Sequence, residues 1–173
     1  MVTRASSCVT SRIAAADLEA ARDVLQAAFA EHGHDTARDL DQLREEFARP
    51  WSRLWVARRE ADAPIVAVLL AWHIVDELEI LDVATHPDHR RLGYARALVA
   101  GAVAFAAEHA VVRVLLEARR SNAAAIALYR GAGFYMSGLR RRYYPDDEDA
   151  VLMTLAFDPQ TRQIVRLADE EAL

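Results

Sequence analysis

From Trp51 the hydrophobic pattern takes a period of two and holds it to Thr85; from Arg91 to Ala110 it is the pattern of an alanine- and leucine-rich helix. A period of two suits a pleated strand and a period near 3.6 suits a helix, so neither stretch can stand in for the other. The switch confines the chain to a mixed α/β architecture. In the first stretch, residues 53–58 predict a strand, 60–64 a hairpin turn around Pro64, and 65–75 a long apolar strand. Asp76 and Glu77 then turn into a strand over 78–85, so the simplest reading is three consecutive antiparallel strands closed by His86-Pro87-Asp88-His89. In the second stretch Leu98, Val99, Ala102, Phe105 and Ala106 share one face, which can lie close against a sheet.

The flanks complete the pattern. Residues 8–13 alternate and are rich in β-branched side chains, which predicts an edge strand. Ala16-Asp17 caps a helix with Leu18, Ala21, Leu25, Ala28 and Phe29 on its apolar face. Residues 31–36, with His32 and His34, read as a loop. A second helix over 38–49 presents Leu40, Leu43 and Phe47 and is stopped by Pro50. Past the alanine-rich helix, 111–117 predicts a strand, Ser121-Asn122 caps a helix over 123–132, and 135–144 and 150–157 predict two more strands. Residues 158–173 are expected to form a short helical tail, leaving 1–157 as a single domain.

Composition removes several functions. The 173 residues are 53% hydrophobic and carry a formal net charge of −5, which argues against a dedicated nucleic-acid binder. Every basic residue is arginine, the side chain best suited to holding phosphate in a fixed geometry. Cys8 is the one cysteine, so an intrachain disulfide and a cysteine-based zinc site are excluded and a reducing, cytoplasmic setting is expected. No apolar run approaches the roughly 18 residues that span a bilayer, so no membrane partner is expected. His32/His34 and His86/His89 are paired without a third ligand, and no metal is expected.

The chemistry concentrates in Arg90-Arg91-Leu92-Gly93-Tyr94-Ala95, between a strand and a long helix. A turn there gathers backbone N–H groups at a helix N-terminus, an arrangement that holds anions and suits a diphosphate. Gly93 and the small Ala95 let oxygens approach the backbone, and the arginines add charge. Alone, the hexapeptide reads equally well as a solvated helix start.

Its company is more specific. Arg90-x-x-Gly93-x-Ala95, then Glu117-x-x-x-Ser121-Asn122-x-x-Ala125, then Leu128-Tyr129-x-x-x-Gly133-Phe134 resembles the GNAT superfamily of N-acetyltransferases. The run from Leu116 through Tyr129, and Arg140-Arg141-Arg142-Tyr143-Tyr144-Pro145 with Glu148-Asp149-Ala150 and Met153, resembles the RimI type, the ribosomal-protein alanine N-acetyltransferases. The resemblance is strong over 77–155.

That resemblance implies an α/β (α+β) GNAT fold, a mixed, mostly antiparallel twisted sheet of six to seven strands flanked by about four helices. It implies acetyl-CoA as cosubstrate, with its pyrophosphate at Arg90, Arg91, Leu92, Gly93, Tyr94, Ala95 and Arg96 and its pantetheine arm along Val83, Ala84 and Thr85. Asn122 matches a further cofactor contact and is equally a helix cap. Glu117 matches the family's proton acceptor and Tyr129 its proton donor to the departing thiolate, while a backbone N–H near Val83 and Ala84 would face the developing oxyanion. Outside that pattern Glu117 would be a strand-end carboxylate and Tyr129 a core aromatic. Arg140 to Tyr144 would line the acceptor cleft or form a solvated strand edge.

The implied acceptor is a protein N-terminus, alanine-leading and of a ribosomal protein by the type resembled. A small-molecule amine or a lysine side chain is the alternative, and a non-catalytic acyl-CoA-binding domain a more distant one. The N-terminal third departs from the pattern: the Phe-Pro-Trp-Ser element usual in the RimI type is replaced by His32-Gly33-His34-Asp35-Thr36. Oligomeric state is not readable from the sequence.

Overall fold

The first four strands follow one another across the sheet in chain order: β1 (Val9–Arg12), β2 (Ser52–Arg58), β3 (Ile65–Ile74) and β4 (Glu77–Thr85). The computed structural model describes residues 8–30 and 38–170. Helices α1 (Leu18–Ala30) and α2 (Leu40–Ala48) lie between β1 and β2 in sequence. Val75 and Asp76 alone join β3 to β4, a connection open only to an antiparallel pair. β4 then pairs in parallel with β5 (Arg113–Arg119), from Glu77 opposite Arg113 to Ile80 opposite Leu116, and the crossover this requires is helix α3 (Tyr94–Glu108). After α4 (Ala123–Gly131), β6 (Tyr135–Arg140) becomes the outer strand and β7 (Ala150–Phe157) inserts between it and β5, antiparallel to both.

Internal contacts divide the chain into two compact units, Met1–Ala71 with Asp82–Gly101, and Trp72–Leu81 with Ala102–Leu173. In the first, α1 buries Leu18, Ala21, Val24, Leu25 and Ala28, spaced three and four apart as one helical face requires. Residues 65–71 of β3 are buried without a break, which explains why this strand reads as a continuous apolar run. In the second, β5 alternates: Val114, Leu116 and Ala118 are buried, while Glu117 and Arg119 point to the opposite face.

The structure departs from expectation at several elements. Among the described residues the sheet has eight strands rather than six to seven. The tail is not a helix among the described residues; it supplies the eighth strand, β8 (Ile164–Val165), with Ile164 opposite Phe157 and Val165 opposite Ala156. The Asp158 carboxylate accepts the N–H groups of Gln160 and Thr161, which closes a turn, and Arg162 adopts a φ of +60° that no right-handed helix contains. β6 ends at Arg140, four residues before the expected Tyr144, because Arg142 turns at φ +52° and donates its N–H to Asp149. α3 starts at Tyr94 rather than Arg91, since Arg91 and Gly93 hold φ values of +65° and +90°. On α2, Leu43 is buried as expected, but Phe47 is exposed and Glu46 is buried in its place; Arg49 at 2.6 Å and the Ser52 hydroxyl at 3.2 Å accompany the buried carboxylate. The expected loop over 31–36 lies outside the described residues.

Candidate active site

In the first unit, β4 leads through Val83, Ala84 and Thr85 into a short 3-10 helix, Pro87–His89, whose start His86 caps by accepting the Asp88 N–H. Arg90 closes this turn with its N–H on the Pro87 carbonyl. The chain then passes through the two positive-φ residues Arg91 and Gly93 and enters α3 at Tyr94. The first N–H groups of any helix have no acceptor within it, and the helix dipole makes this end positive. Arg91, Leu92, Gly93 and Arg96 are exposed here, and Ala95 is half-buried. A Cβ built on Gly93 would meet nothing within 4 Å, so the backbone is open to approach on that side.

Two residues of the predicted anion turn are committed elsewhere. The Tyr94 ring is buried against the edge of the His89 ring, 6.4 Å between centroids, so only its N–H is available to a ligand. The Arg90 guanidinium donates to the Ala28 carbonyl in the last turn of α1, at 3.2 Å. On β4, Asp82 is ion-paired with Arg38 at 2.8 Å. Among the described residues no group of three or more His, Cys, Asp or Glu side chains is gathered for a metal ion.

In the second unit, Glu117 stands near the end of β5 with 23% of its side chain exposed and accepts from Arg140 of β6 at 2.7 Å. The Tyr143 hydroxyl donates to the same carboxylate, and that bond, with burial and the carboxylate's charge, raises the phenol above its ordinary pKa. The next outward-facing residue of β5, Arg119, sits 4.0 Å over the Tyr144 ring and pairs with Asp146 at 2.9 Å and Glu148 at 2.7 Å. Beyond it, Asn122 starts α4 by accepting the Ala125 N–H at 3.0 Å. Tyr129, one and a half turns into α4, is buried, its ring tilted against Phe134 at 5.8 Å.

Reading the sequence missed the partners of Glu117. Arg140 and Tyr143 stand out there only as candidates for an acceptor cleft, 23 and 26 residues further on. Their pairing depends on β7 lying between β5 and β6 and on a register shift between Met136 and Gly138. No local pattern encodes either.

Residues 18–134 match the acetyltransferase (GNAT) family. A relative from Escherichia coli strain K12, "[Ribosomal protein bS18]-alanine N-acetyltransferase", is 34% identical over 132 residues, 69% of this chain and 88% of the relative. The crystal structure of the ribosomal-protein alanine N-acetyltransferase from Escherichia coli superposes with a TM-score of 0.75 at 28% identity, covering 95% of this chain and 97% of the other. The PaiA N-acetyltransferase from Thermoplasma acidophilum, solved in complex with coenzyme A, shares the fold at a TM-score of 0.72 and 16% identity, over 87% of this chain and 99% of the other. The chain belongs to the GNAT acetyltransferase family. It is an N-acetyltransferase of the RimI-like kind, and the family uses acetyl-CoA.

Proposed function

We propose that this enzyme acetylates the N-terminal α-amine of a protein, alanine-leading by the specificity of the relatives, with Glu117 as proton acceptor and Tyr129 as proton donor. The observation that carries the reading is the extent of the similarity to the E. coli enzyme, which takes in 88% of that relative. The open backbone over Gly93 and the exposed Arg91 and Arg96 fit a diphosphate, and the amides of residues 92–96 would hold it. Val83, Ala84 and Thr85 would pair their main chain with the pantetheine arm, and Asn122 would make a further contact. Acetyl-CoA, when bound, supplies an acyl group activated as a thioester.

The residues divide the proton work. An amine must be neutral to attack, and an α-amine, at about 7.7–8.0, gives up its proton far more readily than a lysine side chain at about 10.4. A carboxylate is therefore base enough, and Glu117 takes the proton that the acceptor nitrogen releases. As the new C–N bond forms and the C–S bond breaks, the electron pair leaves on sulfur and Tyr129 returns a proton to it. A backbone N–H of the Val83–Ala84 segment would donate to the acyl oxygen. Among the described residues no helix is long and apolar enough to cross a membrane.

The test is turnover of acetyl-CoA with peptides varied at their first two residues, set beside polyamines and free lysine. Acetylation of alanine-leading peptides at the α-amine is expected. Turnover confined to polyamines or lysine side chains rejects the protein N-terminus as acceptor.

A further inference from the structure

Three adjacent strands of the second unit line up the residues around Glu117. Glu117 of β5 lies opposite Leu152 of β7, which lies opposite Gly138 of β6; two residues on, Arg119, Ala150 and Arg140 form the next row. Residues in one row, and two apart along one strand, share a face of the sheet. Arg140 therefore reaches Glu117 diagonally, across the whole width of β7. The β7 residue in its own row is Ala150, fully buried and no larger than a methyl group, and the β6 residue in the Glu117 row is Gly138. A Cβ at Gly138 would come within 3.1 Å of the Leu152 Cδ1, a tight contact to which Leu152 would have to yield.

We propose that Arg140 is a positioning residue for acetyl transfer: its guanidinium clamps the Glu117 carboxylate in one orientation for the proton it is to accept. The proposal rests on the reading of Glu117 as that acceptor. Among the described residues, the charged and titratable groups facing this carboxylate are Arg140 from β6, Tyr143 and Tyr144 from the loop after it, and Arg119 from its own strand. Arg119 is committed to Asp146 and Glu148, and both tyrosines are held in the protonated state, Tyr143 by its bond to Glu117 and Tyr144 by burial. Arg140 is thus the cation directly on Glu117. Its side chain is 55% exposed, and ion pairs so open to water add little to folding stability. What such a pair does supply is geometry, because a charged group at a reaction centre must be held to within a fraction of an ångström.

Kinetics test this, in the single variant and in the Glu117→Gln background; Arg140→Lys, which keeps the charge, is expected to retain more activity than Arg140→Gln. In kinetics with acetyl-CoA and an alanine-leading hexapeptide, Arg140→Gln is expected to lower kcat about tenfold or more, with KM for acetyl-CoA within about twofold. Made in the Glu117→Gln background, the same change is expected to alter kcat less than twofold. Equal, multiplying effects in both backgrounds overturn the proposal, since Arg140 then acts without Glu117. Full activity in Glu117→Gln instead rejects Glu117 as proton acceptor.

Discussion

The Arg119 guanidinium, on the last residue of β5, donates to the Glu148 carboxylate at 2.7 Å and so ties together points 29 residues apart in the chain. The same carboxylate accepts the Ser121 N–H at 2.7 Å, and Asp149 next to it takes Arg120 at 3.0 Å and the Arg142 N–H at 3.0 Å. The segment between β6 and β7 is fastened in this way to the turn from which Asn122 launches α4. Residues 140–144, which carry both partners of Glu117, are held in place by these bonds.

Glu148 should make the protein acid-sensitive in a defined window. Hydrogen bonds from Ser121, first of all its N–H, and from Arg119 depress its carboxyl from 4.5 to about 2. A carboxyl depressed on folding stabilises the folded state fully above its unfolded value, and that contribution is lost as pH falls from about 4.5 through about 2. Denaturant unfolding of Glu148→Gln at pH 7 should show a loss of about 1 kcal/mol, and the gap from wild type should close towards pH 2. A gap that stays constant from pH 7 to 2.5 contradicts the assignment.

Glu117→Gln and Tyr129→Phe should each lower kcat by about 100-fold while leaving acetyl-CoA affinity nearly unchanged. Each variant removes a proposed proton-transfer group and keeps its shape. Calorimetric titration with coenzyme A beside steady-state kinetics separates the two effects, and lost cofactor binding would make either residue structural.

Gly93→Ala isolates backbone conformation from sterics. An added Cβ would touch nothing within 4 Å, yet φ is +90°, a region that L side chains rarely adopt. A stability loss of about 1–2 kcal/mol is expected, with a raised KM for acetyl-CoA as the amide turn opens, and Gly93→Asn should lose less. An unchanged KM would detach this turn from cofactor binding.

Arg162 should be the residue that makes the tail matter. Its guanidinium donates to the Val111 carbonyl at 2.7 Å and the Ala106 carbonyl at 3.0 Å, at the C-terminal end of α3 where the helix dipole is negative. Arg162→Gln should lower unfolding free energy by about 1–2 kcal/mol, read by chemical denaturation, with kcat unaffected.

Legibility followed the range of the interactions. The start and end of α4 are readable because the Asn122 cap and the glycines Gly131 and Gly133 are local signals, and the proposed anion turn is readable because Gly93 sits just ahead of a helix. The tail was not: its composition suits a helix, and only the free edge of β7 beside Phe157 turned residues 164–165 into a strand. Glu46 took an apolar position on α2 because Arg49 and Ser52 could meet its charge there, which a helical wheel does not show.

The amino-acid pattern by itself determined the class of fold and the family, and it singled out Glu117 and Tyr129 as candidates, because helix period, strand period and a short motif are all written within a few turns of chain. The tertiary structure alone decided what touches Glu117. Arg140 meets it only because β7 enters the sheet between β5 and β6, shifted in register at β6, with an alanine at the crossing. A contact between strands that are not neighbours is set by the order of the sheet, and the sheet's order minimises the free energy of the whole chain rather than of any one segment.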